Sequence, residues 1–238
     1  MLSVIAACAG VATLSLFFIT RNLPAPGDIS QALSRHPGAY KLSLGHMQDL
    51  TVASFAYLRM PLLVAALAFC MGALATWRWA GQRAFLAAAL MMILFFHAAR
   101  MAMAVFDPYM SSRPLAEAIL KSPPGTLIVD HHYYTFSSIF FYTNRTALLR
   151  NGRFYNLEYG AYAPGAPDVF IDDTQFRDLW LKPERSYIVA NQNVVPRLAS
   201  LVGAEHLNLV AESGGKVVLS NLPGALSQSD LPKATGTS

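Results

Sequence analysis

Ala84-Phe85-Leu86-Ala87-Ala88-Ala89-Leu90-Met91-Met92-Ile93-Leu94-Phe95-Phe96-His97-Ala98-Ala99-Arg100-Met101-Ala102-Met103-Ala104-Val105-Phe106 is apolar throughout except for His97 and Arg100, and it runs straight into Asp107-Pro108. A helix needs about 20 mostly apolar residues to cross a hydrocarbon core about 30 Å thick. This stretch meets that requirement, and so do two earlier ones, Leu2 to Ile19 and Met60 to Trp77, neither of which contains a charge. Three transmembrane helices are expected in the region 1–106. After Asp107 charges become frequent, and a different kind of folding unit is expected from there to residue 225.

The composition agrees with this division. Of 238 residues 54% are hydrophobic and 13% charged, against about 25% charged in an ordinary soluble domain. Disorder is excluded, and a wholly soluble globule does not fit. The two cysteines, Cys8 and Cys70, both lie inside apolar runs, which excludes a disulfide scaffold. The net charge of +4 is thinly spread with no Lys/Arg block, which argues against a nucleic-acid partner.

Arginines in short loops set the expected orientation. Trp77-Arg78-Trp79-Ala80-Gly81-Gln82-Arg83 places two in a tight turn, which favours the cytoplasm; the longer 20–49 loop and everything after Phe106 then lie outside. Within that loop Asp28-Ile29-Ser30-Gln31 has the spacing of a capping box. Ile29, Ala32 and Leu33 share a helical face, and Met47, Leu50, Ser54, Phe55 and Leu58 recur at helical intervals. Both stretches fit short amphipathic helices on the membrane surface, or segments packed on the protein itself.

Beyond Asp107 the pattern alternates. A helix is expected over 112–120 with Pro114 in its first turn, a buried strand at 126–129, an aromatic-rich helix over 134–142 and a second strand at 147–149. A Gly/Ala/Pro loop covers 160–167. A strand at 169–171, a helix over 174–181, a strand at 187–189 and a helix over 195–202 ending at Gly203 follow. Residues 207–211 and 216–219 flank Ser213-Gly214-Gly215, a hairpin signal. This is a small α/β domain able to bury its own core, followed by a polar tail at 226–238 that reads as disordered.

Charged groups near membrane depth are costly and usually have a reason. Arg59 opens the second span, and His97 and Arg100, three apart, share a face near the end of the third. They are candidates to hold a lipid phosphate, with Tyr109 and Arg113 just beyond the span as weaker ones; snorkelling to headgroups is the plainer alternative. Asp172-Asp173 resembles the paired acids of metal-diphosphate sites but is better read as a helix start, with Asp173 capping free N–H groups. Asp130-His131-His132 follows a strand, yet no Cys/His ligand cluster accompanies it, so no metal site and no cofactor are assigned. No phosphate-binding glycine loop and no nucleophile elbow is present.

Leu44-Gly45-His46-Met47-Gln48-Asp49-Leu50 leading into Phe55-Ala56-Tyr57-Leu58-Arg59 resembles a bacterial membrane glycosyltransferase. So do Phe95-Phe96-His97-Ala98-Ala99-Arg100, Phe106-Asp107-Pro108-Tyr109, Ser112-Arg113-Pro114-Leu115-Ala116, Tyr133-Tyr134-Thr135-Phe136-Ser137-Ser138 and Asn156-Leu157-Glu158-Tyr159-Gly160. The resemblance is to the C-terminal portion of the GT-C superfamily, in the branch related to aminoarabinose and protein-mannose transferases. It implies a multi-pass inner-membrane enzyme that moves a sugar from a polyprenyl-phosphate donor to an acceptor outside the cytoplasm, with its small α/β domain on that side. The family's catalytic acid lies in an early outer loop that has no counterpart here, so no catalytic residue is assigned. The chain is then expected to be inactive alone, as a fragment or as one half of a split enzyme whose N-terminal half is a candidate partner chain. Through the resemblance Arg59, His97 and Arg100 become stronger phosphate candidates. The competing reading is a non-enzymatic, membrane-anchored α/β domain for glycan binding or envelope assembly.

Overall fold

The computed structural model describes residues 1–33, 49–131, 133–153 and 155–224, with only the backbone of Tyr155 and Asn156. The 44–48 part of the first family motif, Met47, His132 and the tail from Leu226 lie outside these residues. The chain divides into two compact units, Met1–Asp107 and Pro108–Ser238.

The first unit carries three helices long and apolar enough to cross a membrane. They are α1 (Leu2–Thr20), α2 (Arg59–Arg78) and α3 (Gln82–Met110), the last of which continues a few residues into the second unit. Large apolar side chains such as Leu67, Met71, Phe85, Ile93 and Phe96 are exposed, which suits a surface solvated by lipid. Small residues make the helix contacts. Ala6 and Gly10 of α1 and Ala65, Ala66 and Ala68 of α2 are buried. A Cβ at Gly10 would stand 3.0 Å from Cys70 Sγ, so glycine lets the two helices approach closely. Phe69 of α2 meets Phe95 of α3 at 5.1 Å.

The described parts of the 20–49 loop and the segment before α2 pack on each other. Short 3₁₀ turns at Ile29–Ala32 and Ala53–Leu58 bury Ile29, Ala56 and Leu58. The Tyr57 hydroxyl donates to Pro26 O at 2.5 Å, and Thr51 Oγ1 donates to Ala32 O. Asp28 caps the first turn through Ser30 N at 2.9 Å, not through the expected box.

The second unit is a six-stranded sheet between two helical layers. Its elements are α4 (Arg113–Lys121), β1 (Thr126–Asp130), α5 (Ser137–Thr143), β2 (Leu148–Arg150), α6 (Tyr155–Ala161), β3 (Phe170–Ile171), α7 (Asp173–Trp180), β4 (Ser186–Asn191), α8 (Val195–Val202), β5 (Asn208–Ser213) and β6 (Lys216–Ser220). The strand order is β3-β2-β1-β4-β6-β5. The β3–β2, β2–β1 and β1–β4 pairs are parallel, whereas β6 runs antiparallel to both β4 and β5.

Alternation along the central strands explains the layers. Leu127 and Val129 of β1 and Tyr187 and Val189 of β4 face one side, where Leu115 and Ile119 of α4 and Ile139 of α5 cover them. Ile128, Ile188 and Ala190 face the other side, against Phe176 and Trp180 of α7 and Leu198 and Val202 of α8. Successive strand residues point to opposite faces, so strands buried on both sides read as continuous apolar runs. The helical cover residues recur four apart, as an amphipathic stripe requires.

Helix α6 has no counterpart in the sequence-based reading; its Leu157 packs against the first core, enough to hold a short helix that periodicity alone does not announce. Lys216, 3% exposed, donates from Nζ to Tyr109 O at 2.8 Å and to Ser112 Oγ at 3.2 Å. A buried ammonium thus meets acceptors around the end of α3 and the start of α4.

Candidate functional site

In open α/β sheets ligands bind outside the carboxyl ends of the strands, where the winding direction reverses. Here that point lies between β1 and β4, and β1 ends on Asp130. The neighbouring strand β2 ends on Arg150, which is fully buried. Its guanidinium donates from one nitrogen to Asp130 Oδ1 and from the other to Asp173 Oδ1 at 2.7 Å. It lies over the Phe176 ring at 5.2 Å, and among the described residues its Nε has no acceptor. Asp173 also accepts from Asn151 Nδ2 at 2.6 Å and from Arg197 at 2.8 Å. Two carboxylates and two guanidinia thus neutralise one another across two strand ends and two helices.

The helix start at 172–173 differs from the expectation in one respect. The capping residue is Asp172, whose side chain accepts from Gln175 N at 2.8 Å while Gln175 Oε1 accepts from Asp172 N at 3.0 Å. Asp173 is the first residue of the helix, and its carboxylate turns to the arginines. A cavity of about 430 Å³ lies beside this cluster, with Asn151, Arg153, Asp168, Phe170, Asp172 and Gln175 among its walls.

Burial pushes the Asp130 carboxyl above its ordinary range, against the pull of Arg150. Burial acts on Asp173 in the same sense, but hydrogen bonds from Asn151 and Arg197 and the charge of Arg150 outweigh it and hold that carboxyl low. His131, at φ +59°, is lowered by burial despite the nearby Asp130 charge. An imidazole lowered on folding contributes stability that is present above its unfolded-state value, about 6.5, and lost as pH falls through the folded value. Asp130, being raised, works with the opposite sign. The melting temperature of His131→Asn is therefore expected to fall less than wild type on acidification below about pH 6.5, with asparagine tolerating the left-handed backbone. Parallel melting curves of the two proteins over that range would contradict the assignment.

The residues singled out for lipid phosphate fall in different surroundings. Arg59, at the start of α2, donates from Nε to Thr20 O at 3.3 Å and from a terminal nitrogen to Leu23 O. It thereby satisfies carbonyls at the C-terminus of α1, where a cation also suits the helix dipole. His97 and Arg100 lie exposed on α3. Among the described residues neither has a hydrogen-bond or ion-pair partner, and nothing joins them to Arg59. In the second unit Tyr109 is buried, and its carbonyl receives Lys216. Arg113 pairs with Glu117 at 2.8 Å and lies 5.5 Å above the Tyr142 ring.

Sequence reasoning missed Arg150. The signal was available: a lone arginine closing the apolar run Ala147-Leu148-Leu149, with Asp130 ending the preceding strand and Asp172-Asp173 following the next one. Charges of opposite sign at the carboxyl ends of two neighbouring parallel strands and at the start of the following helix converge at one end of the sheet.

No family model and no curated protein matches the sequence. Solved structures do match. ArnT from Cupriavidus metallidurans in the apo state is 18% identical with a TM-score of 0.58, over 93% of this chain and 36% of that one. ArnT bound to undecaprenyl phosphate is 16% identical with a TM-score of 0.53, over 94% and 36%. The chain thus spans about a third of the length of the proteins it matches. At this identity the likeness is one of fold: three apolar helices and a small α/β domain in an ArnT-like arrangement of elements, as the GT-C resemblance implies.

Proposed function

We propose that the chain is the C-terminal part of a GT-C membrane glycosyltransferase, working with a polyprenyl-phosphate-linked sugar in the bacterial inner membrane and carrying its α/β domain on the extracytoplasmic side. The observation that supports this reading is the fold shared with ArnT over nearly the whole chain, one of the two ArnT structures being bound to undecaprenyl phosphate. In such a transfer the acceptor attacks the anomeric carbon, the bond from that carbon to the phosphate oxygen breaks, and negative charge builds on the departing lipid phosphate. Arg100 and His97 hold that phosphate, because cations placed where charge develops lower the barrier. Arg59 supports them indirectly by fixing the corner between α1 and α2. The carboxylate that takes the acceptor's proton comes from a part of the enzyme outside the matched third, and the chain alone transfers no sugar.

Binding of undecaprenyl phosphate to the full chain in nanodiscs tests the assignment. A charge-assisted hydrogen bond contributes about 1.5–3 kcal/mol, so Arg100→Ala is expected to weaken binding about tenfold or more at low salt. The deficit should narrow as added salt screens the wild-type interaction. Equal affinity of wild type and Arg100→Ala would remove the phosphate site and leave the anchored-domain alternative.

A further inference from the structure

The cavity of about 430 Å³ in the second unit lies along the edge strand of the sheet. Asp168, Phe170, Ile171 and Asp172 line it from β3 and its flanks, and Asn151 and Arg153 from the turn after β2. Its volume falls within the range of small-molecule sites, about 300–1,000 Å³. Strand β3 has only two residues, which offers too few ladder hydrogen bonds for an added peptide strand.

Two opposite charges in these walls are uncommitted. Arg153 lies over the Phe170 ring at 5.2 Å and over the Tyr162 ring at 5.8 Å. Among the described residues it has no hydrogen-bond or ion-pair partner, and Asp168 has none either. In the neighbouring cluster, by contrast, Asp130, Arg150, Asp173 and Arg197 are tied to one another. The two rings orient the Arg153 guanidinium through its π contacts and leave its N–H donors to other partners. The walls thus combine acceptor-only carboxylates, a donor-only guanidinium, and the Asn151 and Gln175 amides, which do both.

We propose that this cavity binds a saccharide. A hydroxyl both donates and accepts, so hydroxyls of one sugar ring can donate to Asp168 and accept from Arg153. Such bonds are charge-assisted and stronger than neutral ones, and the C–H surface of the ring packs on the apolar walls at Phe170 and Ile171. An anionic ligand would meet the like charge of Asp168 and Asp172, and a cation that of Arg153. A neutral polyol meets neither penalty. The inference uses only the second unit, and it depends neither on sugar transfer nor on a membrane.

Saturation-transfer difference NMR tests it, with the full chain in nanodiscs free of sugar detergent. The probes are the methyl glycosides of glucose, galactose, mannose, arabinose and N-acetylglucosamine. Saturation of the protein is expected to pass to the ring protons of at least one of them. For that glycoside Asp168→Ala and Arg153→Ala should each raise Kd about tenfold or more, as loss of a hydrogen bond to a charged group implies. Asp178→Ala removes the same charge as Asp168→Ala from an exposed position on α7 outside the cavity, and should leave Kd unchanged. All three side chains are exposed, so their replacement leaves the core intact. Transfer to none of the five glycosides would overturn the proposal. So would equal affinity in wild type, Asp168→Ala and Arg153→Ala, or an equal loss in Asp178→Ala.

Discussion

Arg150→Ala is expected to destabilise the second unit by about 3–5 kcal/mol, the usual cost of removing one partner from a buried ion pair. Arg150 is fully buried and Asp130 nearly so. The variant therefore leaves the Asp130 carboxylate at the end of β1 without its direct ion-pair partner, and Asp173 keeps only Asn151 and the exposed Arg197. Pulse proteolysis of the detergent-solubilised chain across a urea series measures the change. Asp130→Ala added to Arg150→Ala should recover part of the loss, because the stranded charge is then gone and the two sites are coupled. A cost below about 1 kcal/mol for Arg150→Ala, within the range of exposed pairs, would mean that water reaches the cluster.

The second large effect is expected at Gly214. Its φ of +60° costs a residue with a Cβ about 1–2 kcal/mol, and that Cβ would collide with the Pro108 carbonyl and stand 3.1 Å from Tyr109 Cα. Overpacking adds about 1–3 kcal/mol, so Gly214→Ala should cost about 2–5 kcal/mol in the same proteolysis assay. Gly165 separates the two contributions: its φ is +80° but nothing lies within 4 Å, so Gly165→Ala carries the strain alone. Equal costs at both glycines would show that the turn between β5 and β6 does not press on Pro108.

Much of this architecture is legible in the chain. Leu127-Ile128-Val129 and Tyr187-Ile188-Val189 are apolar on consecutive residues, short and bounded by turn signals, which fits strands covered on both faces. Pro114 opens α4, Gly203 closes α8, and Ser213-Gly214-Gly215 makes the hairpin. These signals are local, so the sequence displays them directly. The strand order and the convergence of Asp130, Arg150, Asp173 and Arg197 are not local. They depend on which strand lies beside which, and the participants come from four separate elements. Arg59 shows the same limit from the other side. Read along the chain it is a free cation at the mouth of a span, and only the antiparallel contact of α1 and α2 reveals the carbonyls it serves.

That contact bears on how the protein is made. The carbonyl oxygens that close the first helix find their donor on a side chain synthesised about forty residues later, and the glycine that admits Cys70 lies in the same seam. Until the second helix arrives, the first has an incomplete end and an open notch along its side. Within the described residues, the end of the first helix and the second helix therefore complete each other, so a change at Arg59 or Gly10 is felt in both.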